Sequence, residues 1–298
     1  MIRRATVVFA LCFLASAALA QEMPADYREV LQTLGRPGDF KAGVLKVNLP
    51  RNDLRVAVAG LPLPTPFGFG GWVAFTKGDA GMDVLMGDLV LLEDEVNPVM
   101  SLLLDNGIDV TALHNHFFWE QPRVYYMHVH AHSSAADIAR RLKPALEKIP
   151  RPATPAASPA PPPPGQHALD AVRLTSIIRE DCETLGPVLK FTVGRDDIAL
   201  KEMGAAINAR MGLNTWAAFY GTMEDAAVAG DVAMLEEEVT PVLKTLRAHG
   251  LDVVAIHHHM TGSRPVVIFL HYWGRGSAQT LATGVRAALN QTVARKRL

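Results

Sequence analysis

The chain has 298 residues, a formal net charge of −1 and a hydrophobic content of 49%. Its scattered basic residues argue against nucleic acid or an anionic membrane as the main partner, and its apolar content is ample for real cores. Of its two cysteines, Cys12 lies in the N-terminal apolar stretch, so Cys182 alone remains after it and no intrachain disulfide can form there.

Residues 1–20 read as a signal peptide. Arg3 and Arg4 precede an apolar run from Val7 to Ala17, and Ala18-Leu19-Ala20 is a cleavage signal, which predicts export to the periplasm or medium. Leu11 stands where a lipoprotein signal needs a small residue, so no lipid anchor is expected. No segment is long enough to span a membrane as a helix.

The remainder says the same thing twice. At one constant offset Asp88 falls on Asp231, Glu95 on Glu238, Pro98 on Pro241 and Gly107 on Gly250. At that offset His114, His116 and His128 also meet His257, His259 and His271. Repeat one is assigned to residues 21–149 and repeat two to residues 167–298. Residues 150–166 are proline-rich, favour polyproline II and read as a linker.

Within each repeat, strands are predicted at Val44–Asn48, Leu54–Val58, Trp72–Phe75 and Val84–Leu92, matched by Val188–Thr192, Ile198–Lys201, Trp216–Phe219 and Val228–Leu235. Arg51-Asn52-Asp53 and Arg195-Asp196-Asp197 supply turn chemistry. A helix follows, with Asn97 or Thr240 as N-cap, Pro98 or Pro241 at the first position and Gly107 or Gly250 as the stop. A hairpin turning near Glu120-Gln121-Pro122 or Gly262-Ser263 comes next, then a closing helix capped by Ser133 or Ser134, and by Ser277. This order implies an α+β fold. It consists of two tandem repeats, each a mainly antiparallel sheet with helices on one face, related by a pseudo-twofold axis.

His114 and His116 lie two apart on a predicted strand and share a face with Val110 and Ala112. Cross-strand pairing of His114 with Met127 or His128 would bring in the third imidazole. The reading is one transition-metal site per repeat, His114, His116 and His128 in the first and His257, His259 and His271 in the second. Zinc is the first choice, with copper or iron as alternatives. The catalytic candidates are Glu95 and Glu120, as proton carriers beside a metal-bound water. Glu95 and Glu238 end the acidic triplets Glu93-Asp94-Glu95 and Glu236-Glu237-Glu238, whose other reading is complementing a helix dipole. Asp88 and Asp231, each after a glycine, read equally as turn formers. The expected partner is an unknown small molecule or a cell-wall fragment. The rival function is a non-catalytic envelope-binding module, with Phe117, Phe118, Trp119, Tyr125 and Tyr126 as its platform.

The patterns MGDLVLLEDEVNPV and GIDVTALHNHFFWEQPRVYYMH resemble the LppY/LpqO family of secreted bacterial proteins. The resemblance implies at most a loose association with the cell wall, and it names no activity.

Overall fold

The computed structural model describes residues 21–150 and 167–292. The signal peptide, Cys12 and all but the edge of the proline-rich linker lie outside them. Repeat one contains α1 (Ala25–Leu34), β1 (Asp39–Lys41), β2 (Val44–Pro50), β3 (Val56–Val58), β4 (Leu61–Leu63), β5 (Gly70–Lys77) and β6 (Asp83–Leu92). It continues with α2 (Glu93–Asp105), β7 (Asp109–His114), β8 (Glu120–Gln121), β9 (Val124–Ser133) and α3 (Ala135–Lys148). Repeat two contains α4 (Ala171–Ile178), β10 (Cys182–Leu185), β11 (Val188–Gly194), β12 (Lys201–Glu202), β13 (Ala205–Ala206), β14 (Asn214–Gly221) and β15 (Ala226–Leu235). It closes with α5 (Glu236–Ala248), β16 (Asp252–His257), β17 (Val267–Gly276) and α6 (Ala278–Leu289).

Each repeat builds a six-stranded antiparallel sheet, in the orders β1-β2-β5-β6-β9-β7 and β10-β11-β14-β15-β17-β16. Strand alternation sends one set of side chains to the helices. Leu45, Val73, Leu85 and Val129 pack with Ile138 and Leu142 of α3, and Phe191, Phe219 and Val228 pack with Leu281 and Val285 of α6. The opposite faces cover each other. Val44, Ala74 and Met86 of repeat one share a core with Met211, Leu213 and Phe269 of repeat two. Phe67, Phe117 and Tyr126 share another with Ala218, Ala229 and Trp273. The layers therefore run helix, sheet, sheet, helix, as expected when each sheet has an apolar second face. Among the described residues no helix is long and apolar enough to cross a membrane.

The excursion between the second and third long strands of each repeat reaches across to the other sheet. The β3–β4 excursion brings Phe67 beside Trp273, and the β12–β13 excursion brings Met211 against Val44 and Ala74. Arg51 and Arg195 anchor these excursions, and both are almost wholly buried. Arg51 donates to Asp53, Glu95 and the Val90 carbonyl, and Arg195 to Asp197, Glu238 and the Ala233 carbonyl.

Three local expectations change, the strand expected over Ile198–Lys201 beginning only at Lys201. α2 and α5 begin at the acidic triplets, so Pro98 and Pro241 lie inside helices. Glu95 accepts from the Leu92 amide and Glu238 from the Leu235 amide. That cap, anchored by a buried arginine, starts the helix earlier than the Pro signal suggests. The third change is a bulge between Val110 and Ala112, repeated between Val253 and Ala255. Val110 packs toward the helices while Ala112 pairs with His128 on the other face. The four-residue stripe predicted from Val110 to His116 is thus broken by one residue.

Candidate functional site

The six repeated histidines do not make two sites. They converge in the middle of the molecule, between the sheets. β7 and β9 supply His114 and His128, and β16 and β17 supply His257 and His271. His116 and His259 follow the ends of β7 and β16. The bulges aim His114 and His257 at the opposite sheet, and His114 pairs in register with Tyr126 rather than with Met127 or His128.

Ring distances display the pseudo-twofold axis. His114 and His257 stack on each other across it, centroids 3.8 Å apart. His116 lies 3.6 Å from His271, and His259 lies 4.1 Å from His128. The outer walls are Tyr126, 3.2 Å from His116, and Phe269, 3.4 Å from His259. His114 Nε2 and His271 Nε2 are 3.1 Å apart. Two groups have ligand atoms all within 4.8 Å of one another, namely His114, His257 and His271, and His128, His257 and His259. Both groups cross the repeats, and both use His257. The expectation of one three-histidine site per copy is corrected by this geometry.

Burial holds these imidazoles neutral. It lowers His114 to about 2 and His257 to about 4, and pushes His116, His128, His259 and His271 well below their ordinary value. Neighbouring imidazoles add to the shift, because a second positive ring would repel the first. Several nitrogens lack any protein partner. They are His114 Nδ1, both nitrogens of His116, His128 Nε2, His257 Nε2 and His259 Nδ1. A buried polar atom left so costs on the order of 1–3 kcal/mol. A cation accepting the one lone pair that each neutral ring offers removes part of that cost, so the donor set fits a transition metal.

Two carboxylates join the histidines. Asp88 pairs in register with His128, and Asp231 with His271. Asp231 Oδ2 stands 3.6 Å from His259 Nε2, and Asp88 Oδ1 has no hydrogen-bond partner. Burial raises Asp88 to about 8 and Asp231 well above the carboxylate range. They are strand-interior residues, not turn formers. The repeat singles out both, but their burial between the sheets has no local signal in the sequence.

Neither predicted catalytic glutamate reaches the histidines. Both Glu95 oxygens bind Arg51, and one also caps α2. Glu120 is buried in β8, where its carboxylate accepts from Asn115 Nδ2 at 3.3 Å. No hydrogen bond or ion pair joins Glu120 to a histidine among the described residues. The aromatic platform is also dispersed. Phe117 and Tyr126 are buried in the inter-sheet core, Tyr125 packs on the helix-side core, and only Phe118 and Trp119 are exposed. His130 and His132, present in repeat one alone, sit apart, 3.7 Å from Glu202 and 3.6 Å from Asp79.

A family model described as a domain of unknown function, DUF1259, matches residues 28–148 and again residues 172–291. The chain belongs to this family. It is a tandem member, and the two matches coincide with the two helix-covered sheets. The family's description does not name LppY/LpqO.

No curated protein matches. Among solved structures, the trimeric bacterial microcompartment shell protein PduB is 10% identical, with 87% of this chain and 91% of that chain covered and a TM-score of 0.22. EtuB from Clostridium kluyveri is 7% identical, with the same coverages and a TM-score of 0.22. The double-ringed trimeric shell protein MSM0271 is 13% identical over 73% of this chain and 83% of that one, at a TM-score of 0.17. PduB and MSM0271 are named as shell proteins, and none of the three is named as exported, periplasmic, envelope-binding or metal-binding. The expected periplasmic or secreted location, the cell-envelope ligand and the reading as a periplasmic metal protein are corrected accordingly and not carried forward. TM-scores this low do not transfer shell assembly to this chain either.

Proposed function

We propose that the two repeats act as one unit whose inter-sheet histidine centre holds a transition-metal ion, zinc first. One observation carries the reading. Two three-histidine groups, each drawn from both repeats, share His257; burial holds their imidazoles neutral, and all of them but His271 keep an unpartnered nitrogen. Neutral imidazole is the form that binds metal. Asp88 and Asp231 are placed to orient the rings or to join the ligand set once a cation lowers their proton affinity. Kinship with the LppY/LpqO proteins belongs to the same proposal and rests on the LHNH and MH motifs.

A shared centre and two separate centres differ in stoichiometry after mutation. His257→Ala should remove all bound metal, because both groups use that ring. Separate sites would keep repeat one's share. The measurement is elemental analysis of protein reconstituted with zinc and passed through a desalting column. Half-retention after His257→Ala, or no metal in the wild type, would overturn the proposal.

A further inference from the structure

Two lysines at the same interface are unaccounted for by the histidine centre. Lys46 of β2 and Lys190 of β11 are pseudo-equivalent and half-buried. Each folds back over an indole. Lys46 Nζ stands 4.3 Å from the Trp72 ring centroid, and Lys190 Nζ stands 4.7 Å from that of Trp216. The two indoles adjoin the histidines. Trp216 is 6.2 Å from His116 and 6.3 Å from His271. A Cβ on Gly212 would meet Trp72 Cη2 at 3.1 Å and His259 Nδ1 at 3.4 Å, so Trp72 and His259 flank one glycine. A step from buried histidine to half-buried tryptophan to half-buried lysine therefore exists in both repeats.

The charges around these lysines leave a positive excess. The arginines of the inter-sheet region, Arg51, Arg195 and Arg210, are ion-paired, whereas neither lysine takes part in an ion pair among the described residues. Asp39 is the cross-strand neighbour of Lys46 but is bound by Arg210. Glu183 is the cross-strand neighbour of Lys190 and makes no ion pair with it. Asp88, the other carboxyl acting on Lys46, makes no ion pair with it among the described residues. Burial, with Lys190 and Arg210 as like charges, lowers Lys46 to about 8, and burial lowers Lys190 against the pull of Glu183. At neutral pH Lys46 still carries its proton.

We propose that Lys46 and Lys190 form a binding site for a small oxyanion, a carboxylate or a phosphate, on the solvent side of the histidine centre. The ammonium groups supply the charge-assisted donors, and the indoles beneath hold them in place. The site stands on the lysines and tryptophans alone, so it does not depend on metal occupancy.

The test uses chelator-treated protein, which keeps the outcome separate from the metal question. Inorganic phosphate and malonate are titrated in turn at constant ionic strength, with chloride as the control, by calorimetry and tryptophan fluorescence. The expected result is saturable binding of at least one probe with a fluorescence change and no saturable chloride response. The probe that binds identifies phosphate or carboxylate as the preferred group. Lys46→Met and Lys190→Met should each weaken binding about tenfold or more, the loss of one charge-assisted bond, and the double variant should abolish it. Lys46→Arg, which keeps the charge, should restore most of the affinity, and Lys244→Met on exposed α5 should change nothing. Circular dichroism checks folding of each variant. Absence of saturable binding of both probes in the wild type, or unchanged affinity in a folded double variant, overturns the proposal.

Discussion

At the scale of single residues, the charged groups in this interior divide by whether they have partners. Arg195 and Glu238 are nearly fully buried and bonded to each other at 2.8 Å. Removing one partner strands the other, so Arg195→Met should cost about 3–5 kcal/mol in urea unfolding. A loss under about 1 kcal/mol would show that the pair is dispensable. Glu95→Gln should likewise lower stability yet leave metal content unchanged, because its oxygens serve Arg51 and the α2 cap. Lys46 is the unpaired counterexample. The unfolded chain holds its proton with the ordinary value of 10.5 and the folded chain with about 8. Below pH 8 both forms are charged and the folded one bears the burial cost. Between pH 8 and 10.5 the folded form releases its proton first, so this group's penalty fades. The stability gain of Lys46→Met over wild type should therefore be largest below pH 8 and shrink toward pH 10.5. A pH-independent gap in urea midpoints would refute this origin.

At the scale of elements, strand alternation made β2, β5, β6, β9 and their partners legible, and the serine caps and left-handed Gly107 and Gly250 lie where residue chemistry put them. The bulge at Thr111 was not legible, since period-two reading assumes an unbroken pleat. Nor were α1, α4, β1 and β10, whose short segments carry little periodic signal. The six histidines were legible as candidates because duplication held them. Their meeting in one centre was not, because it depends on which faces two sheets turn to each other. For the same reason Lys46 passed unnoticed and Asp88 read as a turn former: their faces matter only once the second sheet covers them. Gly230 on β15 shows how closely the strands approach. A Cβ there would meet the Trp216 carbonyl and the Tyr272 hydroxyl, each at 2.3 Å. Backbone cannot yield at that distance, so Gly230→Ala should destabilise by about 1–3 kcal/mol or more in urea unfolding. An unchanged midpoint would mean that the pleat relaxes freely.

At the scale of the whole molecule, neither repeat is complete alone. Each sheet buries its helix-side face within its own repeat, but its second face, with residues such as Val44, Ala74, Phe67 and Tyr126, is built into cores shared with the other repeat. A face of that size left in water would violate what soluble monomers tolerate. The pseudo-twofold relation supplies the remedy, because a face that fits its near-copy presents a self-complementary pattern to its own copy. Residues 21–150 expressed alone should therefore form a dimer, with two copies of His114 stacked on the axis where His114 and His257 stack here. Light scattering coupled to size exclusion measures the mass directly, and zinc content of the dimer reports whether the symmetric centre is rebuilt. A folded monomer with native near-ultraviolet dichroism would show that the inter-sheet core is optional. That outcome would also remove the reason for both repeats sharing one chain.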